Sequence, residues 1–217
     1  MNRLDRLIII VTIIALLTGC GTKPEDELYR VFESAAKKEK NMFETTQKLQ
    51  TLEVKSKQLY EEILIAGQEN SENAKEYLTR AIKNTKEREK VLQEENKMLD
   101  TAYQRMQDTH KSIEYLEEAQ LKKQAKVVSK AYADRYQAFR AMQSSYKKVL
   151  EAELVLYEKL QNTNETLKQI SIQVKRVNEL YVDVGAKKEA FNMYTKQYNE
   201  AKAAFYRMAK FEIESNV

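Results

Sequence analysis

The chain has 217 residues, with 37 basic and 33 acidic side chains for a net charge of +4, thirteen tyrosines, one histidine, one cysteine, one proline and no tryptophan. Charges of both signs are interspersed along the chain, which argues for solvated helix faces rather than the one-signed surface a nucleic acid requires. One cysteine excludes an intrachain disulfide, and one histidine excludes a metal site built on two. Four glycines and one proline leave little material for hairpins, while Lys, Glu, Ala, Leu and Gln favour helix, so the expected class is all-α.

Met1 to Arg6 carries Arg3 and Arg6, and Leu7 to Leu17 is an apolar run interrupted only by Thr12. This run is well short of the roughly 18–20 residues a membrane-spanning helix needs, so it reads as the h-region of an export signal. Leu17-Thr18-Gly19-Cys20 then resembles the lipobox of bacterial lipoproteins, in which the Cys thiol receives diacylglycerol before cleavage on its N-terminal side. Residues 1–19 are thus expected to be a lipoprotein signal peptide and Cys20 the lipid-bearing first residue of the mature chain. Two acyl chains hold durably where one does not, at about 0.8 kcal/mol per buried CH₂. Removal of residues 1–19 takes away Arg3, Arg6 and Asp5 and leaves 198 residues with 35 basic and 32 acidic side chains.

Residues 20–23 form a short tether, and 24–217 the helical domain. Thr22 with Glu25 reads as a capping box, and Glu25, Asp26 and Glu27 suit the positive end of a helix. From Leu28 an apolar seam passes at spacings of three and four through Phe32, Ala35, Met42, Leu49, Leu52, Leu59 and Ile63, with Glu39, Thr46 and Ser56 as polar interruptions. Gly67 to Ser71 is the clearest turn, with Gly67 suited to a left-handed C-cap and Asn70 or Ser71 to the next N-cap. A second seam carries Ala74, Tyr77, Ala81, Val91, Leu92, Leu99, Ala102, Met106, Ile113 and Leu116. The pattern weakens between Glu117 and Lys126, then resumes through Val128, Tyr132, Phe139, Met142, Val149, Leu156 and Leu160. Asn162 with Glu165 reads as another N-cap, opening a last helix with Leu167, Ile170, Val174, Val177, Tyr181, Val184, Phe191, Tyr194, Tyr198, Phe205 and Met208 on its seam. Gly185 beside that seam suggests a slight kink or a close backbone contact.

Two geometries follow. A turn near residue 119 gives an elongated antiparallel up-and-down four-helix bundle; without it, three long helices share a continuous central helix of about ninety residues, roughly 135 Å long. Pairing about turns near 68, 119 and 163 brings Phe32, Met106, Tyr132 and Tyr194 level, which favours the bundle.

Chemistry-bearing constellations are scarce. His110 stands alone, and carboxylate pairs arise by chance among so many acidic residues. The expectation is a non-enzymatic protein with no cofactor and no metal. The tyrosines at three-four spacing read as core, with Tyr115, Tyr157 and Tyr206 as candidate surface positions. Lys122, Lys123, Lys126 and Lys130 are the candidate contact for an anionic polymer, the alternative being a solvated face in which Glu118 pairs with Lys122.

A lipobox at Leu17-Thr18-Gly19-Cys20, followed by some 200 residues of Lys-, Glu- and Tyr-rich helix with almost no Gly or Pro, resembles the YkyA family of Gram-positive lipoproteins. The resemblance covers the layout of the whole chain and brings no catalytic residues. It implies a helical lipoprotein anchored by diacylglycerol on Cys20 to the extracytoplasmic face of the cell membrane. There it would act as a binding or scaffold module for cell-wall polymer, or as an adaptor for an envelope protein, with oligomeric state open.

Overall fold

A computed structural model describes residues 22–40, 42–68, 72–162 and 164–211. The lipobox Leu17, Thr18, Gly19 and Cys20, and the cap positions Asn70 and Ser71, lie outside the described residues. The chain is all-α: α1 (Pro24–Lys40), α2 (Met42–Gln68), α3 (Asn73–Gln107), α4 (Thr109–Glu114), α5 (Ala119–Gln161) and α6 (Leu167–Met208), with no strand among the described residues. None of these helices is long and apolar enough to cross a membrane.

α1 begins at Pro24, where the missing N–H costs nothing. The Glu27 N–H bonds the Lys23 carbonyl at 3.1 Å, so Lys23 rather than Thr22 holds the cap position. Gly67 lies inside α2, not beyond it, and needs no left-handed backbone there. α3 and α4 join through Asp108, whose backbone stays helical. The real break falls between Glu114 and Ala119. Glu118 turns extended (φ −73°, ψ 116°), its carbonyl accepts the Lys122 N–H at 2.9 Å, and the Lys122 ammonium donates to the Glu114 carbonyl at 2.7 Å. Neither Gly nor Pro makes this turn. It is held by Ile113, Leu116 and Leu121, which enter the same apolar cluster as Leu28 and Phe32 from either side of it. A continuous central helix is thereby overturned.

α6 is capped one turn later than the spacing of Asn162 and Glu165 predicts. Thr166 accepts the Gln169 N–H at 3.3 Å, while the Gln169 side chain accepts the Thr166 N–H at 2.9 Å, a reciprocal capping box. Asn162 ends α5, and its side chain takes the Asn164 N–H. Leu167, read as seam, is 86% exposed because it occupies the first turn beyond the packed length. Thr166→Ala is expected to cost about 1 kcal/mol, read as a lowered denaturation midpoint with an unchanged m-value.

α5 packs along the length of α6, α2 along α3, and α3 along α5. Contacts across α3–α4 and α5 run in opposite numerical order: Thr109 meets Ser129, Asp100 meets Tyr136, Asn96 meets Arg140, and Arg88 meets Tyr146 and Glu153. At the end where α1 starts and α6 finishes, Phe32 stands edge-on to Phe205 with centroids 5.4 Å apart, and Tyr132 edge-on to Tyr198 at 5.0 Å. The residue level with Tyr132 is therefore Tyr198, one turn on from the expected Tyr194. Tyr157 and Tyr206 are buried, so only Tyr115 of the three candidate surface tyrosines is exposed.

Between the apolar clusters lie three polar layers, one for each interruption of the first seam. Glu39 accepts from Arg135 at 2.8 Å and from Tyr132 at 2.5 Å, and Arg135 also donates to Thr195. Thr46 donates to Glu95 at 2.9 Å, and Gln143 donates to the other Glu95 oxygen at 3.0 Å. Ser56 meets Arg88, which is ion-paired with Glu153.

Candidate functional site

The four lysines singled out by sequence fall together on the first turns of α5, around an open depression that includes Ala119 and the exposed Val127. Most of their charge is answered locally. Lys122 and Lys126 reach the two Glu114 oxygens at 3.0 and 2.9 Å, and Lys130 reaches Asp134 at 2.6 Å. Hydrogen bonds from Lys126 and Lys122 bring the Glu114 carboxyl down to about 2. Glu118 offers Lys122 only its carbonyl, so the partner is Glu114, on the far side of the turn. Lys123 is exposed and in no ion pair among the described residues. A patch with paired counter-charges is a poor polyanion surface.

A more developed concavity runs between α2 and α6, which pack on α3 and α5 but not closely on each other. One part, of about 740 Å³, is lined by Glu53, Lys57, Tyr60, Tyr157, Asn178 and Tyr181 among others; a second, of about 240 Å³, continues past Thr46, Gln50, Glu95, Gln143 and Phe191. The two share Glu53, Tyr146, Val184 and Lys188, so they form one groove with α5 and α3 as its floor.

The Arg88 layer lies beneath this floor and draws on α2, α3, α5 and α6. Arg88 is 0% exposed. Its Nε donates to Asn84 at 3.0 Å, Nη1 to Tyr181 at 3.1 Å and Tyr146 at 3.4 Å, and Nη2 to Ser56 at 3.1 Å, Thr85 at 3.2 Å and Glu153. Tyr181 donates to Glu153 at 2.6 Å. Burial alone disfavours the guanidinium charge, but Glu153, then Tyr146 and Tyr181, more than reverse this, and the cation is held above its ordinary range. Burial likewise pushes the Tyr157 hydroxyl up to about 12.

Glu95 stands in the narrower part of the groove. Burial raises its carboxyl above the usual carboxylate range; hydrogen bonds from Thr46 and Gln143 offset this in part, and Glu53 adds like-charge repulsion. The folded state therefore holds that proton to higher pH than the unfolded state, so stability falls as pH rises through the window above the ordinary Glu value. Glu95→Gln is expected to remove this slope. In melts from about pH 4 to about pH 8, the variant should gain on the parent as pH rises.

Chemically, the groove offers donors, acceptors and ring faces, with two of its acids already engaged: Glu153 by Arg88, Tyr181 and Thr85, and Glu95 by Thr46 and Gln143. No group of three or more metal-ligating side chains occurs among the described residues, and His110 is exposed on α4 beside a different depression. Sequence reading missed Arg88 and Glu153, although a signal was present. The second seam is silent from Ala81 to Val91, and Asn84, Thr85 and Arg88 fill that gap at helical spacing; Glu153 likewise sits between Val149 and Leu156.

The family model named YkyA, described as "Putative cell-wall binding lipoprotein", matches residues 23–208, the span of the described helices. The chain is 28% identical over 202 residues, 93% of its length and 91% of the relative's, to the "Uncharacterized lipoprotein YkyA" of Bacillus subtilis (strain 168). No solved structure matches.

Proposed function

Because the chain belongs to the YkyA family, we propose that it is a membrane-anchored lipoprotein of the extracytoplasmic face that binds cell-wall polymer without transforming it. In this reading residues 1–19 are a signal peptide, Cys20 carries diacylglycerol behind the lipobox Leu17, Thr18 and Gly19, residues 20–23 are a short tether and 24–217 the binding domain. That domain is an elongated antiparallel up-and-down four-helix bundle, a reading supported by the opposite numerical order of contacts across α3–α4 and α5. The family match across residues 23–208 carries the proposal, and the α2–α6 groove supplies a surface suited to it. The start of α1, which follows the tether, and the end of α6 share one aromatic cluster, which supports a domain standing end-on to the membrane.

Co-sedimentation of the purified full chain, held in detergent, with isolated cell wall tests the binding. Recovery in the wall pellet is expected, and retention at high salt would assign it to the groove rather than to Lys122, Lys123, Lys126 and Lys130. Absence from the pellet at both low and high salt overturns the proposal. Cys20→Ala is expected to move the protein out of the membrane fraction and abolish lipid labelling; full retention without label overturns the anchor.

An adaptor role toward an envelope protein is favoured by one observation. Phe43, Val54 and Ile65 recur every eleven residues on α2 and are all exposed, so they form one apolar stripe three turns apart in each step. Cross-linking in cells would support this reading by returning one dominant protein partner.

A further inference from the structure

Gly185 is hard to explain by packing. It lies inside α6, where glycine costs about 1 kcal/mol relative to alanine, and a Cβ built there would meet nothing within 4 Å. The expected close backbone contact is therefore not its reason. What the glycine does is leave the wall of the α2–α6 groove bare, next to Val184 and one turn from Tyr181 and Lys188. Bare backbone of this kind is where a flat ligand can approach closely.

The surroundings are those of a site for sugars. Tyr181 is 36% exposed although its hydroxyl is bonded to Arg88 and Glu153, so the groove sees its ring, held in place from beneath. A fixed aromatic platform costs little entropy on binding. Around it stand groups of both hydrogen-bonding senses: Asn178, Glu53, Lys57 and Lys188. Their charges balance to within one unit, which does not favour a polyanion and suits hydroxyls and amides. The lining from Met42 to Tyr60 runs 18 residues along the α2 side, about 27 Å, enough for several sugar rings in a row.

Building on the wall-binding proposal, we infer that the α2–α6 groove binds an uncharged polysaccharide strand laid across Gly185, with Tyr181 as its stacking platform. The test titrates the purified full chain in detergent with chitohexaose, an uncharged hexasaccharide, by calorimetry at low and high salt. Saturable binding insensitive to salt is expected. Gly185→Trp projects an indole into the groove from a position where a Cβ meets nothing and should weaken binding about tenfold or more, whereas Gly185→Ala should leave it within about twofold. Thermal melts of both variants check that the fold is kept. No binding of chitohexaose, equal affinity in Gly185→Trp, or binding only of poly(glycerol phosphate) that disappears with salt each overturns the assignment. Wall sedimentation separates the two proposals. If Gly185→Trp loses chitohexaose but not wall, the polymer is held elsewhere and the groove is not the wall site. If the parent binds chitohexaose but not wall, wall binding fails and the groove assignment stands.

Discussion

Arg88→Met should destabilise the fold by about 3–5 kcal/mol, because it leaves Glu153 buried, charged and short of its main partner. For a chain of this size that is a fall of about 10 °C or more in melting temperature. The cost arises from the orphaned carboxylate rather than from lost attraction, and this can be separated. Arg88→Met combined with Glu153→Leu should recover most of the loss, ending within about 2 kcal/mol of the parent, since a buried ion pair gains little over apolar side chains of similar volume. A double-mutant cycle on denaturation midpoints reads the coupling directly. If the single and double variants are equally unstable, the layer acts through Ser56, Asn84 and Tyr181, not through the ion pair.

Phe205→Ala should cost about 3–5 kcal/mol as well, through the cavity it leaves. Phe205 is fully buried, edge-on to Phe32, and next to Tyr206, whose hydroxyl donates to Glu33 at 2.7 Å. Other contacts between α1 and α6, Tyr29 with Tyr206 and Lys202 with Glu33, lie at this same end, so the loss should be local before it is global. Hydrogen exchange is expected to quicken first at the end of α6 and the start of α1, while amides around Arg88 keep their protection. Uniform acceleration across the chain would show that the aromatic end and the polar middle unfold as one unit.

Much of the helical content was legible from spacing alone, because long three-four seams with few Gly or Pro admit little else. Register was less so: large side chains mark which face is buried but tolerate a shift of one turn, and Tyr198 in place of Tyr194 is such a shift. The caps show the same blindness, since Thr166 with Gln169 fits the capping-box pattern as well as Asn162 with Glu165 and only the packed length of α5 decides between them. Glu39, Thr46 and Ser56 were visible as interruptions, but their partners Arg135, Glu95 and Arg88 lie on other helices: the gap around Arg88 in the second seam shows that a polar residue is buried there, and nothing local says which residue it meets. The groove left no trace at all. It arises from two helices that do not meet, and a gap has no sequence.

The three polar layers also bear on mechanics. A lipid at Cys20 and a wall strand crossing Gly185, 23 residues or about 35 Å from the Met208 end of α6, would load the molecule lengthwise. Helices joined only by smooth apolar seams yield to such a load by creeping past one another. Here a slip of one turn, about 5.4 Å, would draw Arg88 from Glu153 and Arg135 from Glu39 at the same instant, with no substitute partner at the next station. The layers would act as shear pins spaced along the shaft, resisting that slip together.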